Sequence, residues 1–503
     1  MTAPAEQPGH QAQPVWALRR LAASSTIYVG ADALARGLGL LLLPLYAHFL
    51  TPADYGIVAV VGTVGIVLGI LFGLGLNGAI TRLYFEAATV HERKVLYGTV
   101  LMFLLVFGAL AGVTLELLGA VGVLDLFQDI AYDPYLRYAV WIAYAGLFLE
   151  LAIAIFIVQE ESWRVAALTL TGAIATLVFN VTFVVLLEQG ALGALRAILF
   201  TSVTMSVVGV VLVARRAALA FSWGVMSTAL AFSLPLVPHL LAGWILFVSD
   251  RLILERFVPQ AEVGVYALGA AVAGIGVLIT DGLGRAFGPP MLRQLKEHGG
   301  ESHAARLGTL WVAALVWGTV GVIVLGGDLV RIVTPDQFHG AARVIPWLAA
   351  GFLVFGLYNV LSQPMWYVMR TRLLPVFTAI AGAVNIGLNL LLVPRYGIEA
   401  AAWTTLIGFA VLALLVGLYC RRLHRIPWEY GRWLKLFAAG ALVCVVGATL
   451  KETTLVTVTI ELALVAIAFP LLLGGMRFLT PGDRHRLRTA LAAGARYVGY
   501  GSR

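Results

Sequence analysis

The chain has 503 residues, 60% of them hydrophobic and only 12% charged. Soluble domains carry about a quarter charged residues, so this composition excludes an ordinary soluble enzyme and indicates an integral membrane protein. The net charge of +8 and the two cysteines must then be read by position, because Lys and Arg gather at cytoplasmic membrane faces.

In chain order, Met1–Pro14 is polar, lacks periodicity and reads as a disordered tail without the basic-then-apolar design of a signal peptide. Apolar segments follow near 25–50, 57–80, 95–123, 136–158, 165–187, 192–214 and 229–254, then 263–287, 307–333, 344–369, 373–393, 398–420, 433–450 and 455–478. Each can cross a hydrocarbon core that needs about 20 helical residues. The expected class is an all-α integral membrane protein with 14 transmembrane helices. Cys420 and Cys444 lie in or beside these segments, where packing is their expected role rather than a disulfide or a metal site.

Charge sets the orientation. With the N-terminus inside, cytoplasmic segments hold 25 Lys and Arg against 7 outside, and Arg36 and Arg251 remain within the membrane. Both termini are therefore expected in the cytoplasm. Topology accounts for the basic balance, and no nucleic-acid partner is needed.

The chain also repeats. Phe49–Ile57 (FLTPADYGI) matches Phe257–Val265 (FVPQAEVGV) at an offset of 208. Phe179-Asn180 followed by Gly190–Ala194 echoes Leu388-Asn389 followed by Gly397–Ala401, and both echoes end in an arginine pair, Arg215-Arg216 and Arg421-Arg422. A duplicated six-helix unit follows, with both copies in the same orientation. The expected organisation is a cytoplasmic tail (1–20), an N-terminal six-helix lobe (21–216), a cytoplasmic linker (217–228) and a C-terminal six-helix lobe (229–422). Helices 13 and 14 (433–480) and a basic cytoplasmic tail (481–503) complete it. Such proteins hold substrate between their lobes and alternate access by rocking them.

Asp250, Arg251, Asp281 and Arg285 lie within or at the end of apolar spans between Ser233 and Glu297. An ionised side chain at mid-depth costs about 2.5–3.5 kcal/mol on insertion scales, so such residues mark a transport pathway by default. No GxxxxGK[ST] motif, HExxH motif or Cys/His cluster occurs. The chain reads as a transporter, not an enzyme.

Four segments carry a resemblance: LLPLYAHFLTPADYGIVAV (Leu42–Val60), GLGLNGAITRLYFE (Gly73–Glu86), LPLVPHLLAGWILFVSDRLIL (Leu234–Leu254) and NIGLNLLLVPRYGIEAAAWTT (Asn385–Thr405). They resemble the polysaccharide (O-antigen and exopolysaccharide) flippases of the multidrug/oligosaccharidyl-lipid/polysaccharide (MOP) exporter superfamily. The resemblance implies two six-helix lobes around a central cavity. It also implies movement of undecaprenyl-diphosphate-linked oligosaccharide from the cytoplasmic to the periplasmic leaflet of a bacterial inner membrane, for lipopolysaccharide or exopolysaccharide synthesis. Implied partners are the lipid-linked oligosaccharide, membrane lipids and the polymerase and glycosyltransferases of the same pathway.

On that resemblance, arginines suit the diphosphate, because a guanidinium offers a planar fork of donors to phosphate oxygens. Arg36 lies mid-span one turn from Asp32, and Arg251 lies beside Asp250 in the matching helix of the second lobe; each pair reads as a ligand set or as structural neutralisation. Arg82 and Arg285 close related spans and read equally as a mouth for the diphosphate or as snorkelling anchors. Asn77, and Asn359, Gln363 and Trp366 at helical spacing beside Pro364, suit sugar hydroxyls or an interhelical seam. Asn385 and Asn389 read first as interhelical hydrogen bonds. Glu116 and Glu150 are candidates for H+ or Na+ coupling; no cofactor is otherwise expected. A lipid II flippase is a close alternative. A cation-coupled drug exporter of the same superfamily would call for an acidic cavity, which the arginines oppose. A glycan polymerase would need longer external loops.

Overall fold

The computed structural model describes residues 30–31, 34–124, 127–450 and 453–478. The expected tails (1–20 and 481–503) and Asp32 lie outside the described residues. Among those described, all regular structure is helical. The helices are α1 (Leu34–Phe49), α2 (Pro52–Glu86), α3 (Val90–Ala120), α4 (Tyr132–Val158), α5 (Ser162–Leu186) and α6 (Gly190–Ala214). Next come α7 (Trp223–Val248, continued past Ser249 by Asp250–Phe257), α8 (Gln260–Lys296), α9 (Glu301–Val333) and α10 (Ile345–Tyr367). The last three are α11 (Leu374–Leu423), α12 (Tyr430–Gly447) and α13 (Leu455–Gly475).

Twelve described helices are long and apolar enough to cross a membrane, which makes this a multi-pass membrane protein. The expected 14 spans are not reached by that measure, for two physical reasons. Helix α1 as described is too short, and α11 counts once although it is two helices meeting at Gly397, where the two expected spans adjoin. Its 50 residues hold enough helix for two crossings of a hydrocarbon core that needs about 20 residues each. It is broken at Gly397, whose φ of 59° and ψ of −139° are non-helical. Only glycine adopts that backbone at little cost, and Gly397 stands in the turn expected between residues 393 and 398.

The helices are apolar on both faces, as a lipid solvent requires. On α3, Leu96, Val100 and Leu104 are buried, while Val106, Leu110, Val113 and Leu117 form an exposed stripe at helical spacing. Helix α6 presents Phe200, Val203, Val207 and Val211 in the same way.

Packing divides the chain into two compact units, one with the chain up to Leu50 and Val64–Leu240, the other with Thr51–Thr63 and the chain from Leu241 onward. The boundaries differ from an even split in the 217–228 linker. Within the first unit, the start of α7 packs on α2: Ser233 and Leu236 lie against Gly75, and Leu236 and Phe232 against Gly78. A core of α2–α4, α6 and α7 side chains, among them Tyr97, Phe148, Ile155 and Met226, fills this unit.

In the second unit, Thr51–Thr63 packs on the start of α8. A Cβ on Gly56 would meet the Gln260 carbonyl and, at 3.0 Å, the Gly264 nitrogen; a Cβ on Gly264 would meet the Pro52 carbonyl and, at 2.9 Å, the Gly56 nitrogen. Pro52 and Gln260, like Gly56 and Gly264, are matching positions of the repeat. The two copies of the motif thus touch each other reciprocally. Trp244 Nε1 donates to the Thr63 carbonyl at 3.3 Å, and Tyr55 meets Phe338 edge-on with ring centroids 5.8 Å apart. The added helices join α9. Asp328 accepts from Thr453 at 2.6 Å and from Arg331 at 3.4 Å, Trp317 Nε1 donates to the Val465 carbonyl at 2.9 Å, and Trp433 Nε1 donates to Thr309 at 3.1 Å.

Candidate functional site

Helices α8, α9 and α10 of the second unit converge where α8 and α10 end and α9 begins. Between them is a cavity of about 430 Å³. Helix α8 lines it with Thr280, Asp281, Gly284, Arg285 and Pro289, α9 with Trp311, and α10 with Asn359, Ser362, Gln363 and Trp366. Asp281, Arg285 and Pro289 recur every four residues and so share one face of α8.

Local backbone chemistry adds acceptors to that face. Pro289 and Pro290 lie inside α8 and lack amide hydrogens, so the carbonyls of Arg285 and Ala286 lose their helical donors. Helix α10 breaks at Ser362, after which Gln363–Tyr367 forms a short helix with Pro364 at its start. Ser362 Oγ and Gln363 Nε2 both donate to the Asn359 carbonyl, at 3.0 and 3.1 Å. The Gln363 Oε1 acceptor and the Trp311 Nε1 donor are buried without a hydrogen-bond partner in the protein. Leaving a buried polar group unpaired costs about 1–3 kcal/mol, and a ligand with hydroxyl groups can pair with both. Trp311 stacks on Phe287 with centroids 6.0 Å apart, and Trp366 is half exposed (49%) at the rim. Cation, carboxylate, unpaired donor and acceptor, and indole faces are the groups that recognise phosphate and sugar.

Of the residues expected from sequence, Arg285, Asn359, Gln363 and Trp366 meet in this cavity. Trp311, Thr280 and Pro289 join them without having been anticipated. A tryptophan near the end of a span reads from sequence as an interface anchor, and only the helix packing turns it inward.

The other expected residues lie elsewhere. In the first unit, Asn77 Nδ2 donates to Glu150 Oε2 at 3.2 Å. Arg82 pairs with Glu86 at 2.8 Å on an exposed helix face, with its guanidinium 4.8 Å from the Phe232 ring centroid. Arg36 is half-buried on α1. Glu116 is held by Arg137 at 2.6 Å, Trp141 Nε1 at 3.1 Å and Tyr132 at 3.2 Å. In the second unit, Asp250 is buried and accepts from the Arg251 backbone amide at 2.8 Å, from Arg251 Nη1 at 3.2 Å and from the Tyr266 hydroxyl. Arg251 Nη1 also reaches the Phe247 carbonyl at 3.4 Å. Asn389 Nδ2 bonds the Asn385 carbonyl at 2.9 Å, within α11, while Asn389 Oδ1 and Asn385 Nδ2 stay unpaired.

A family model described as polysaccharide biosynthesis protein matches residues 21–286, just over half of the chain. The chain belongs to this family. As a polysaccharide biosynthesis protein it is similar to the probable low-salt glycan biosynthesis flippase Agl15 of Haloferax volcanii, at 22% identity over 195 residues, 38% of this chain and 41% of the relative. The match thus spans less than half the length of that curated relative. Among solved structures, the lipid II flippase MurJ in an inward closed conformation gives a TM-score of 0.73 over 88% of this chain and 97% of MurJ, at 14% identity. A multidrug resistance MATE family transporter of the MOP superfamily, inward-facing, gives 0.60 over 84% of this chain and 99% of that one, at 16% identity. At such identities the likeness is one of fold. This polysaccharide biosynthesis protein shares its fold with both of these proteins. The family match includes α8 with Asp281 and Arg285, while α9 and α10 lie beyond it.

Proposed function

We propose that this protein is a flippase for lipid-linked oligosaccharide, carrying a polyprenyl-diphosphate-linked glycan from the cytoplasmic leaflet to the outer leaflet by alternating access. The observation that carries the reading is the cavity of the second unit, in which Arg285 stands with the unpaired Gln363 Oε1 and Trp311 Nε1. Arg285 offers its fork to the diphosphate, whose negative charge would otherwise be costly to bring beneath the headgroups. Gln363, Trp311 and Trp366 meet hydroxyls and apolar faces of the first sugars. Family membership supports glycan chemistry, and the fold supports a transporter. Orientation follows the charge asymmetry, which puts the mouth of this cavity at the cytoplasmic face.

The test is complementation of a deletion strain by Arg285→Ala, Arg285→Lys and Arg36→Ala, with surface glycan, lipid-linked precursor and membrane protein level all measured. The expected outcome for Arg285→Ala is loss of glycan with precursor build-up at normal protein level, and Lys restores part of the transport. Arg36→Ala behaves alike if α1 also contacts the anion. Normal glycan in Arg285→Ala would overturn the placing of the diphosphate in this cavity.

A further inference from the structure

A second pocket, of about 340 Å³, lies behind the α10 break. Leu361 and Pro364 of α10 and Gly417 and Cys420 of α11 make its apolar wall; Arg421, His424, Arg425, Trp428 and Tyr430 make its polar and aromatic side. Arg421 and Arg425 are exposed and have no ion pair among the described residues. His424 Nε2 is buried without a hydrogen bond and lies 3.7 Å from the Glu301 carboxylate. Tyr367 lies against the His424 ring at 5.1 Å between centroids. The pocket sits where α11 ends and α12 begins.

We propose that this pocket binds the phosphate headgroup of an anionic membrane lipid. The chemistry is graded as such a lipid is: an apolar wall for the upper acyl and glycerol carbons, aromatic rings at the boundary, and two unpaired guanidiniums with an imidazole donor for the phosphate. Basic pockets between helices at the cytoplasmic side are where acidic headgroups lodge. The site is separate from the transport cavity but shares a wall with it. Leu361 and Pro364 face this pocket, while Ser362, Gln363 and Trp366 of the same break line the other. A bound headgroup therefore steadies the segment that positions Gln363 and Trp366. The binding stands without the transport reading; the effect on transport rests on it.

The experiment uses the purified full-length protein, delipidated in detergent and titrated with dioleoyl phosphatidylglycerol, dioleoyl phosphatidylcholine or inorganic phosphate while bound lipid is counted by native mass spectrometry. Wild type is expected to retain phosphatidylglycerol and not phosphatidylcholine. Arg421→Gln/Arg425→Gln should weaken that binding about tenfold or more. Arg370→Gln/Arg372→Gln, which removes the same charge from the nearby loop, should leave it unchanged. Both arginines of the pocket are exposed, so the variants keep the fold, and Arg425→Gln alone serves if the double variant does not express. Equal binding in the pocket variant, or equal loss in the loop variant, would overturn the site. Competition by millimolar phosphate would overturn the lipid as its occupant. Failure of the glycan transport assay alone, with lipid binding intact, would touch only the transport reading.

Discussion

At the scale of single residues, the cavity between α8, α9 and α10 and the Asp250 cluster show two ways of burying polar groups within apolar helices. Gln363 uses its Nε2 locally and leaves Oε1 unpaired. Removing an unpaired buried acceptor relieves a cost as it forfeits a hydrogen bond, so Gln363→Leu should change stability by less than about 1 kcal/mol. Glycan export should nonetheless fall. Thermal unfolding and surface glycan measured on one variant check this, and a large loss of stability would make the amide structural. Asp250 is the opposite case, since Arg251 and Tyr266 use both carboxylate oxygens. Breaking such a buried pair costs about 3–5 kcal/mol, so Asp250→Ala should lose the protein from the membrane fraction, which immunoblotting reads directly. Little of this difference is legible in the sequence. Adjacent Asp250 and Arg251 advertise charge in a span, but Tyr266, which closes the cluster, arrives from the next helix. The Asn359–Gln363–Trp366 face is legible because its period is that of the helix itself.

At the scale of elements, long apolar runs made most of the spans readable, because a helix satisfies its own backbone within a bilayer and needs only a long enough apolar run to cross it. Where two spans adjoin through a short turn, as at Gly397 inside α11, Pro394, Arg395 and Glu399 mark the boundary in the sequence and the φ of 59° supplies the break. The breaks that shape the cavity were half legible. Prolines 289, 290 and 364 announce missing donors, but which carbonyls face a cavity depends on packing. The glycine contact between α2 and α8 makes a direct prediction. A side chain at Gly264 meets the Pro52 backbone rather than a flexible side chain, so the helices must separate to admit it. Gly264→Leu should destabilise by about 1–3 kcal/mol, read as a lower melting temperature in detergent, and Gly243→Leu, whose Cβ meets nothing within 4 Å, should not.

At the scale of the whole molecule, the asymmetry of 25 to 7 basic residues predicts which face each loop occupies. Cys420 and Cys444 lie inside helices, so a variant with both replaced by Ala can carry one reporter cysteine at a time. Asp336→Cys should react with a membrane-impermeant maleimide in intact cells, and Leu219→Cys only after permeabilisation. The reverse pattern would invert the topology and remove the cytoplasmic mouth from the cavity. The second unit also holds a local symmetry. In a symmetric homodimer, residue i of one subunit touches residue j of the other, and j touches i; Pro52 with Gly264 and Gly56 with Gln260 keep that rule inside a single chain. A half-length chain pairing with its own copy through such a motif would carry every substitution twice, once on each side of its axis. Within a single chain the two copies can change one at a time, and Pro52 and Gln260, at matching positions of the motif, do differ.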